Sequence, residues 1–382
     1  MTGTLAAGPG DQHTALDFPR VDSVTAAVYE VPTDQPEADG TLAWSATTLV
    51  VARVSAGGTT ALGYTYANGA CKPLIEGELA AAVKGRCVLE TGAAWEAMVR
   101  AVRNLGRPGL VSCAISAVDT ALWNLKATLL GLPLSRVLGL VREEVPIYGS
   151  GGFTTYDSAA ARAQLEHWTG DLAIPRVKIK IGESWGAAEQ RDLDRIAFAR
   201  RVIGPDAELY VDANGGYTRK QAVRLGRAMA SHGVTWFEEP VSSDDLDGLR
   251  EVRDMVEPDV TAGEYGYDLA YFGRMVDAGA VDCLQADVTR CGGITEWLRA
   301  AAVAAARGLQ VSGHCAPNLH AHVAAAVPNM RHLEYFHDHV RIEGMLFDGV
   351  LDPAGGTLRP DPSRPGLGLT LKEANAAPYR TA

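Results

Sequence analysis

From Val21 to Tyr66, apolar and polar positions alternate with a period of two. The runs VTAAVYEV, TTLVVARV and TTALGYTYA predict three strands, and SAGG between the last two predicts a hairpin turn. The stretch PTDQPEADGTLAW is polar, holds two prolines and reads as a loop. From Glu76 to Gly139 the period lengthens. In SCAISAVDTALWNLKATLLG, residues Ile115, Val118, Leu122, Leu125 and Leu129 recur at three- and four-residue steps. That spacing predicts a helix, with Ser112 as its N-cap and Gly131 just past its end. The whole section reads as an α+β domain.

After Glu144 the texture becomes strand, helix, strand, helix. Short apolar runs occur at VPIYGS, RVKIKIG, ELYVDAN, VTWFEEP, DVTAGE, DCLQADV, LQVSGH and HLEYFH. Amphipathic stretches such as AEQRDLDRIAFARRVIG and TRKQAVRLGRAMASHG separate most of them. The alternation implies parallel strands with helical crossovers, and eight strands imply a (β/α) barrel. Doubly wound sheets share the alternation, but no GxGxxG opens a helix here. The last stretch, LDPAGGTLRPDPSRPGLGLTL, reads as a tail returning to the first domain.

Composition narrows the function without deciding it. The 382 residues are 47% hydrophobic and 21% charged, enough for a large core. The formal net charge is -11 with scattered basic residues, which argues against nucleic acid and anionic membranes as partners. An anionic small molecule fits a site that is only locally positive. The six cysteines show no CxxC pairing and read as reduced thiols of a cytoplasmic protein. The opening MTGTLAAGPGDQHTALDFPR lacks a basic segment followed by an apolar core, so a flexible leader is expected rather than a signal peptide.

The chemistry sits at strand ends. PRVKIKIGE puts Lys178 and Lys180 on one face of a strand and Val177, Ile179 and Ile181 on the other. In a parallel barrel neither face is simply wet, so inward lysines belong at the C-terminal mouth, where active sites of such barrels lie. Asp212, Glu238 and Glu264 end three successive runs and are spaced 26 residues apart each time. One such carboxylate is explained as a cap of the following helix, but three in register are not. Three acids on one rim repel unless neutralised, and all-oxygen ligands favour Mg2+ or Mn2+ over zinc. Asp287, His314 and Glu334 follow at further strand ends. An aspartate one strand before a histidine can fix the ring's tautomer and raise its basicity. His320, His322, His332, His337 and His339 lack that placement and read as structural.

Together these residues resemble the enolase superfamily, and its mandelate racemase subgroup in particular, over nearly the whole chain. KIK resembles the subgroup's Lys-x-Lys; DAN, EEP and GE resemble its three metal-ligand motifs. Asp287 with His314 resembles its Asp-His dyad, and LE at Glu334 the carboxylate that assists the enolate. Each motif is weak alone; six in order at successive strand ends are specific. Members with a second lysine at the sixth strand, such as dipeptide epimerases and muconate cycloisomerases, fit poorly, because ADVTRCGG has an acid there.

The resemblance implies an α+β capping domain over 21–143, a (β/α)7β barrel over 144–345 and a returning segment over 346–382, after a leader over 1–20. It implies Mg2+ on Asp212, Glu238 and Glu264, with Glu239 not counted as a ligand. Lys180 would be one acid/base, with Lys178 neutralising a substrate carboxylate and lowering the pKa of Lys180. His314, held by Asp287, would be the acid/base on the opposite face. Glu334, if protonated, would donate to the enolate, and Asn214 would touch substrate. The implied reaction removes a proton α to a carboxylate, the superfamily's general pattern. Loss of a β-hydroxyl then gives a sugar-acid dehydratase, and reprotonation on the other face gives a racemase or epimerase. The polar capping stretch GYTYANGACKPL, with Tyr64, Tyr66, Asn68 and Lys72, favours the sugar acid, a plain solvated loop being the alternative. A metal-binding barrel without catalysis is the alternative of another class, disfavoured by the intact set of bases and ligands. Self-association into a homo-oligomer is also expected.

Overall fold

The computed structural model describes residues 18–382, so the expected leader lies almost wholly outside the described residues. Strands β1 (Val21–Ala38), β2 (Ala43–Ala56) and β3 (Thr59–Tyr66) form an antiparallel meander in that order. One face of the meander buries Val28, Val50 and Val54 with residues of the helix Leu110–Leu129, including Ile115, Val118 and Leu122. Strand and helix approach closely because Gly63 has no side chain. A Cβ there would lie 2.3 Å from Ala117 O and 2.4 Å from Ala121 N.

Two local expectations are corrected. The stretch PTDQPEADGTLAW is no loop: it continues β1, turns at Asp39–Leu42 and starts β2. β1 lies at the sheet edge, where proline's missing N–H is tolerated, and a register shift between Pro32 and Glu37 accommodates the pair. Asp39 Oδ1 closes the turn by accepting the N–H groups of Thr41 and Leu42 at 2.6 and 2.7 Å. Nor is Ser112 an N-cap. The helix begins at Leu110 after Gly109, and Ser112 Oγ instead donates to Tyr267 O at 2.6 Å, tying the helix to the barrel. Gly131, with φ 68°, does end the helix as expected.

The barrel strands are β4 (Val145–Gly151), β5 (Arg176–Lys180), β6 (Glu208–Asp212), β7 (Val234–Glu238), β8 (Asp259–Ala262), β9 (Cys283–Ala286), β10 (Gln310–Gly313) and β11 (Met330–Phe336). Each pairs in parallel with the next, and β11 closes on β4. Inside, Tyr148, Tyr210, Trp236 and Cys283 pack as one buried cluster, with the His332 ring 4.8 Å from both Tyr148 and Trp236. This aromatic plug fills the barrel beneath its C-terminal mouth. The β1–β2 turn reaches over that mouth: Thr154 Oγ1 donates to Asp39 O at 2.8 Å and Trp185 N–H to Gly40 O at 2.9 Å. Gly40 is required there, since a Cβ would come within 2.6 Å of Ile181 O. The C-terminal residues run back to the meander, where Val28 and Thr381–Ala382 exchange two backbone hydrogen bonds of 2.9 Å. Among the described residues no helix is long and apolar enough to cross a membrane.

Candidate active site

Register builds the site. Lys180 of β5 lies opposite Asp212 of β6, and Asp212 opposite Glu238 of β7, so all three point inward at one level of the mouth. Lys180 Nζ reaches Asp212 Oδ2 at 2.5 Å. Lys178 starts two residues lower and is fully buried. Its ammonium rises to Glu238, to Glu334 Oε1 at 2.8 Å and to Asp212 Oδ2 at 3.5 Å. Glu264 follows β8, and the carboxylates of Asp212, Glu238 and Glu264 bring oxygens within 4.8 Å of one another. All three are buried.

The second half of the site comes from β9 to β11. His314 Nδ1 pairs with Asp287 Oδ2 at 2.8 Å, and Asp287 Oδ1 accepts from Thr289 N–H and Oγ1–H at 2.6 and 2.8 Å. His314 Nε2 faces Glu264 Oε2 at 3.2 Å and Glu334 Oε2 at 3.6 Å. A cavity of about 370 Å³ is lined by Lys180, Asn214, Glu264, His314 and Glu334 from the barrel and by Tyr66 and Asn68 from the capping domain. The structure therefore brings seven of the expected site residues to one surface, with Tyr64 and Lys72 outside it. Lys178, Asp212 and Glu238 lie just beneath it, and Asp287 lies behind His314.

Charge and burial set the protonation states. Burial lowers the pKa of both lysines, but Glu238 and Glu334 around Lys178, and Asp212 beside Lys180, overturn it and hold both above the usual range. The expected lowering of Lys180 by Lys178 does operate, but it is smaller than the pull of Asp212. Lys178 pairs with the rim's own carboxylates. Burial pushes Glu238 up to about 8. Burial also raises Glu334, but Lys178, His314 and Lys180 win and hold it below the ordinary carboxylate range. Glu334 is thus an ionised acceptor, taking hydrogen bonds from Ser150 Oγ at 2.6 Å and Cys315 N–H at 3.1 Å, and not the protonated donor expected. Asp287 is held down to about 2: burial opposes this, and the hydrogen bond and charge of His314, with Arg290, outweigh burial. His314 lies above its ordinary value, since Cys315, Glu264 and Glu334 outweigh burial.

Sequence reasoning missed three residues here. Arg290 binds Glu264 Oε1 at 3.1 Å and approaches Asp287 Oδ2 at 3.5 Å, bridging the two halves of the site. Its signal was the three-residue step from Asp287 before two glycines with positive φ. His339, read as structural, lines the cavity and stacks on Tyr66 with ring centroids 3.4 Å apart. Cys315 puts its sulfur 3.3 Å from His314 Nε2. Conversely, Tyr64 points away from the cavity and donates to Glu343 Oε1 at 2.8 Å. His320 holds the loops, accepting from Val288 N–H at 3.0 Å and contacting Cys315 O at 2.8 Å through Nδ1.

The donor set suits a hard divalent cation. Three buried carboxylates converge, and Asn214 Oδ1 and Glu239 Oε1 are buried oxygens with no hydrogen-bond partner. Two family patterns match the chain: Mandelate racemase / muconate lactonizing enzyme, N-terminal domain, over residues 23–139, and Enolase C-terminal domain-like over 159–375. The chain belongs to the mandelate racemase/muconate lactonizing enzyme family. Within this family it is 33% identical to L-talarate/galactarate dehydratase of Salmonella typhimurium over 71% of its own length. The match covers 66% of that enzyme, just under two thirds. A mandelate racemase/muconate lactonizing enzyme-like protein from Rubrobacter xylanophilus superposes with a TM-score of 0.92 at 48% identity, over 95% of this chain and 100% of that one. L-Talarate dehydratase from Polaromonas, solved with Mg and L-glucarate, superposes with a TM-score of 0.85 at 28% identity, over 95% and 98%.

Proposed function

We propose that this family member binds Mg2+ through Asp212, Glu238 and Glu264 and dehydrates a sugar acid to a 2-keto-3-deoxy acid. One observation carries the proposal: Lys180 Nζ and His314 Nε2 enter one cavity from β5 and β10, strands well apart around the ring, beside three convergent carboxylates. The kinship with a sugar-acid dehydratase, and the Mg and L-glucarate bound in a structural neighbour, support the choice of cofactor and substrate class.

Bound Mg2+ would supply Lewis-acid stabilisation of the negative charge that builds on the substrate carboxylate. The protein's own groups do the rest. Lys180 takes the α-proton at Nζ as the neutral amine, after its ammonium has left Asp212 and given its own proton to solvent. Each pK unit by which the carbon acid is weaker than that ammonium costs about 1.4 kcal/mol. Asp287 fixes the Nδ1 proton of His314, so Nε2 is the nitrogen that works at the cavity surface. From there His314 can protonate the departing β-hydroxyl. Delivery of the same proton to the α-carbon would instead invert it, and the two-sided placement of bases supports that racemase or epimerase reading as the second choice. Asn214, Tyr66 and Asn68 line the cavity and would contact the substrate's hydroxyls. The proposal includes a cytoplasmic location, supported by six unpaired cysteines, and self-association, supported by exposed Leu130, Leu132 and Val141.

A panel of mono- and diacid sugars, incubated with the Mg2+-loaded protein in D2O, tests this. NMR reads α-deuterium and a carbonyl assay reads keto acid. Keto acid is expected; deuterium with inverted configuration and no keto acid would replace dehydration by epimerisation.

A further inference from the structure

We propose that His314, Cys315 and Glu334 form a second metal site, which takes Zn2+ and thereby inhibits the enzyme. Three donors of different softness meet in the cavity wall: His314 Nε2, Cys315 Sγ and Glu334 Oε2. Nε2 and Sγ are 3.3 Å apart, Sγ and Oε2 3.3 Å, and Nε2 and Oε2 3.6 Å. A tetrahedral zinc, with bonds of about 2.3 Å to sulfur and about 2.0–2.1 Å to nitrogen and oxygen, separates those pairs by roughly 3.6, 3.6 and 3.4 Å. Each observed edge thus lies within about 0.3 Å of the zinc triangle.

Three further features fit a ligand set. His314 donates its other ring nitrogen to Asp287 at 2.8 Å, the carboxylate–histidine arrangement that fixes the tautomer and strengthens a metal-binding imidazole. The three residues are only 5%, 3% and 1% exposed, yet all line the cavity, which leaves a fourth coordination position open to it. Cys315 adopts a left-handed backbone with φ 54°, a strained conformation for a residue with a side chain. It is held there by its N–H on Glu334 Oε2 at 3.1 Å and its carbonyl against His320 Nδ1 at 2.8 Å.

The two sites differ in chemistry. Asp212, Glu238 and Glu264 offer only oxygen and suit Mg2+, whereas a nitrogen, sulfur and oxygen set selects a borderline-soft ion. Zn2+ displaces the Cys315 thiol proton and the His314 Nε2 proton to solvent and occupies the Nε2 lone pair that acid–base use of His314 requires, so binding and turnover exclude each other. Only the inhibition rests on the proposed activity; the site itself does not.

The test uses the full chain saturated with Mg2+. One equivalent of Co2+ is expected to give a thiolate-to-cobalt charge-transfer band in the near ultraviolet, which an all-oxygen site cannot give. Cys315→Ser should abolish the band and weaken Zn2+ inhibition by at least about tenfold; Asp287→Asn should keep the band but weaken the ion by about 10–100-fold. Cys87→Ser, in the capping domain, should change neither. X-ray absorption at the zinc edge on the unmodified protein needs no variant, and one sulfur at about 2.3 Å is expected. A zinc shell of oxygen and nitrogen alone, or a Cys315→Ser protein with the unaltered zinc response, would overturn the proposal whether or not a substrate had been found.

Discussion

Asp287→Asn separates the two halves of the proposed mechanism. The Asp287 carboxyl is held from 3.8 down to about 2, nearly two units, although burial pushes it the other way. At about 1.4 kcal/mol per unit, its partners favour the ionised form by about 2 kcal/mol net. His314 is the foremost of those partners, so it loses comparable support for its protonated form. The substitution also reverses a hydrogen bond. Thr289 presents an N–H and an O–H to Asp287 Oδ1, both needing an acceptor. An asparagine amide therefore turns its oxygen to Thr289 and its NH2 to His314 Nδ1. Nδ1 must then carry the lone pair, and Nε2 is left protonated, the wrong tautomer for a base. Exchange of the α-proton through His314 should fall by about 30-fold or more, since about 2 kcal/mol alone gives that factor. Exchange through Lys180 should be largely kept. Deuterium incorporation by NMR, with a pair of α-epimers each presenting its proton to one base, reads the two sides separately. Equal loss on both sides would refute the assignment of the dyad to one face. The pH sign is checkable as well. A depressed acid contributes stability above its ordinary value of 3.8 and loses it as pH falls through about 2. The stability gap between wild type and variant should widen as pH falls through the histidine range, because only wild type supports protonated His314, and close again below about pH 4.

Three other outcomes test the packing beneath this chemistry. Lys178→Met removes the cation among Glu238, Glu334 and Asp212; breaking such a buried group should cost about 3–5 kcal/mol in urea unfolding of the metal-free protein, and less with Mg2+. Gly63→Ala forces a methyl against the backbone of the helix Leu110–Leu129, 2.3 Å from Ala117 O, and should cost at least about 1–3 kcal/mol of thermal stability. Asp119, which docks that helix on the barrel by accepting from Thr295 N–H at 2.9 Å and Oγ1–H at 2.7 Å, is pushed up to about 7 by burial. A raised acid is more easily ionised in the unfolded chain, so its contribution falls as pH rises from its ordinary value to about 7. Relative to Asp119→Asn, wild type should therefore lose about 3 kcal/mol between pH 4.5 and 8, a difference from which any constant hydrogen-bond offset cancels. A pH-independent gap in urea denaturation would contradict the protonated, buried state of Asp119.

What was legible in the sequence follows the barrel's own regularity. A parallel barrel repeats its strand ends at one level, so a polar residue closing an apolar run is read directly as a residue of the mouth. Lys180, Asp212 and Glu238 were found this way, and their mutual register bears out that they share a level. Arg290, Cys315 and His339 escaped because none closes a run. Arg290 folds back from the β9 loop, Cys315 follows His314 in a backbone conformation that no local pattern announces, and His339 arrives on the helix His337–Leu346. The β1–β2 turn was misread for a related reason. Its prolines and acids imitate a loop, and only the sheet-edge position of β1 makes an extended strand compatible with them.

The two lysines of PRVKIKIGE show why period alone could not assign their tasks. Both face inward, yet they start in different layers. Lys178 is in register with Tyr210, and Tyr210 with Trp236, so its backbone belongs to the aromatic plug. Lys180 is in register with Asp212 and Glu238, the carboxylate layer above. The stem of Lys178 passes the Tyr148 ring, with Nζ 5.3 Å from its centroid, and delivers the ammonium upward to the acids. A shorter side chain from that register position would end among the aromatics and leave the carboxylates uncompensated. Lys180 begins where Lys178 ends, with only the cavity beyond it. The motif therefore places one cation under the carboxylates and one among them at the cavity surface. The first makes the cluster affordable to bury, and the second is the one that a substrate can meet.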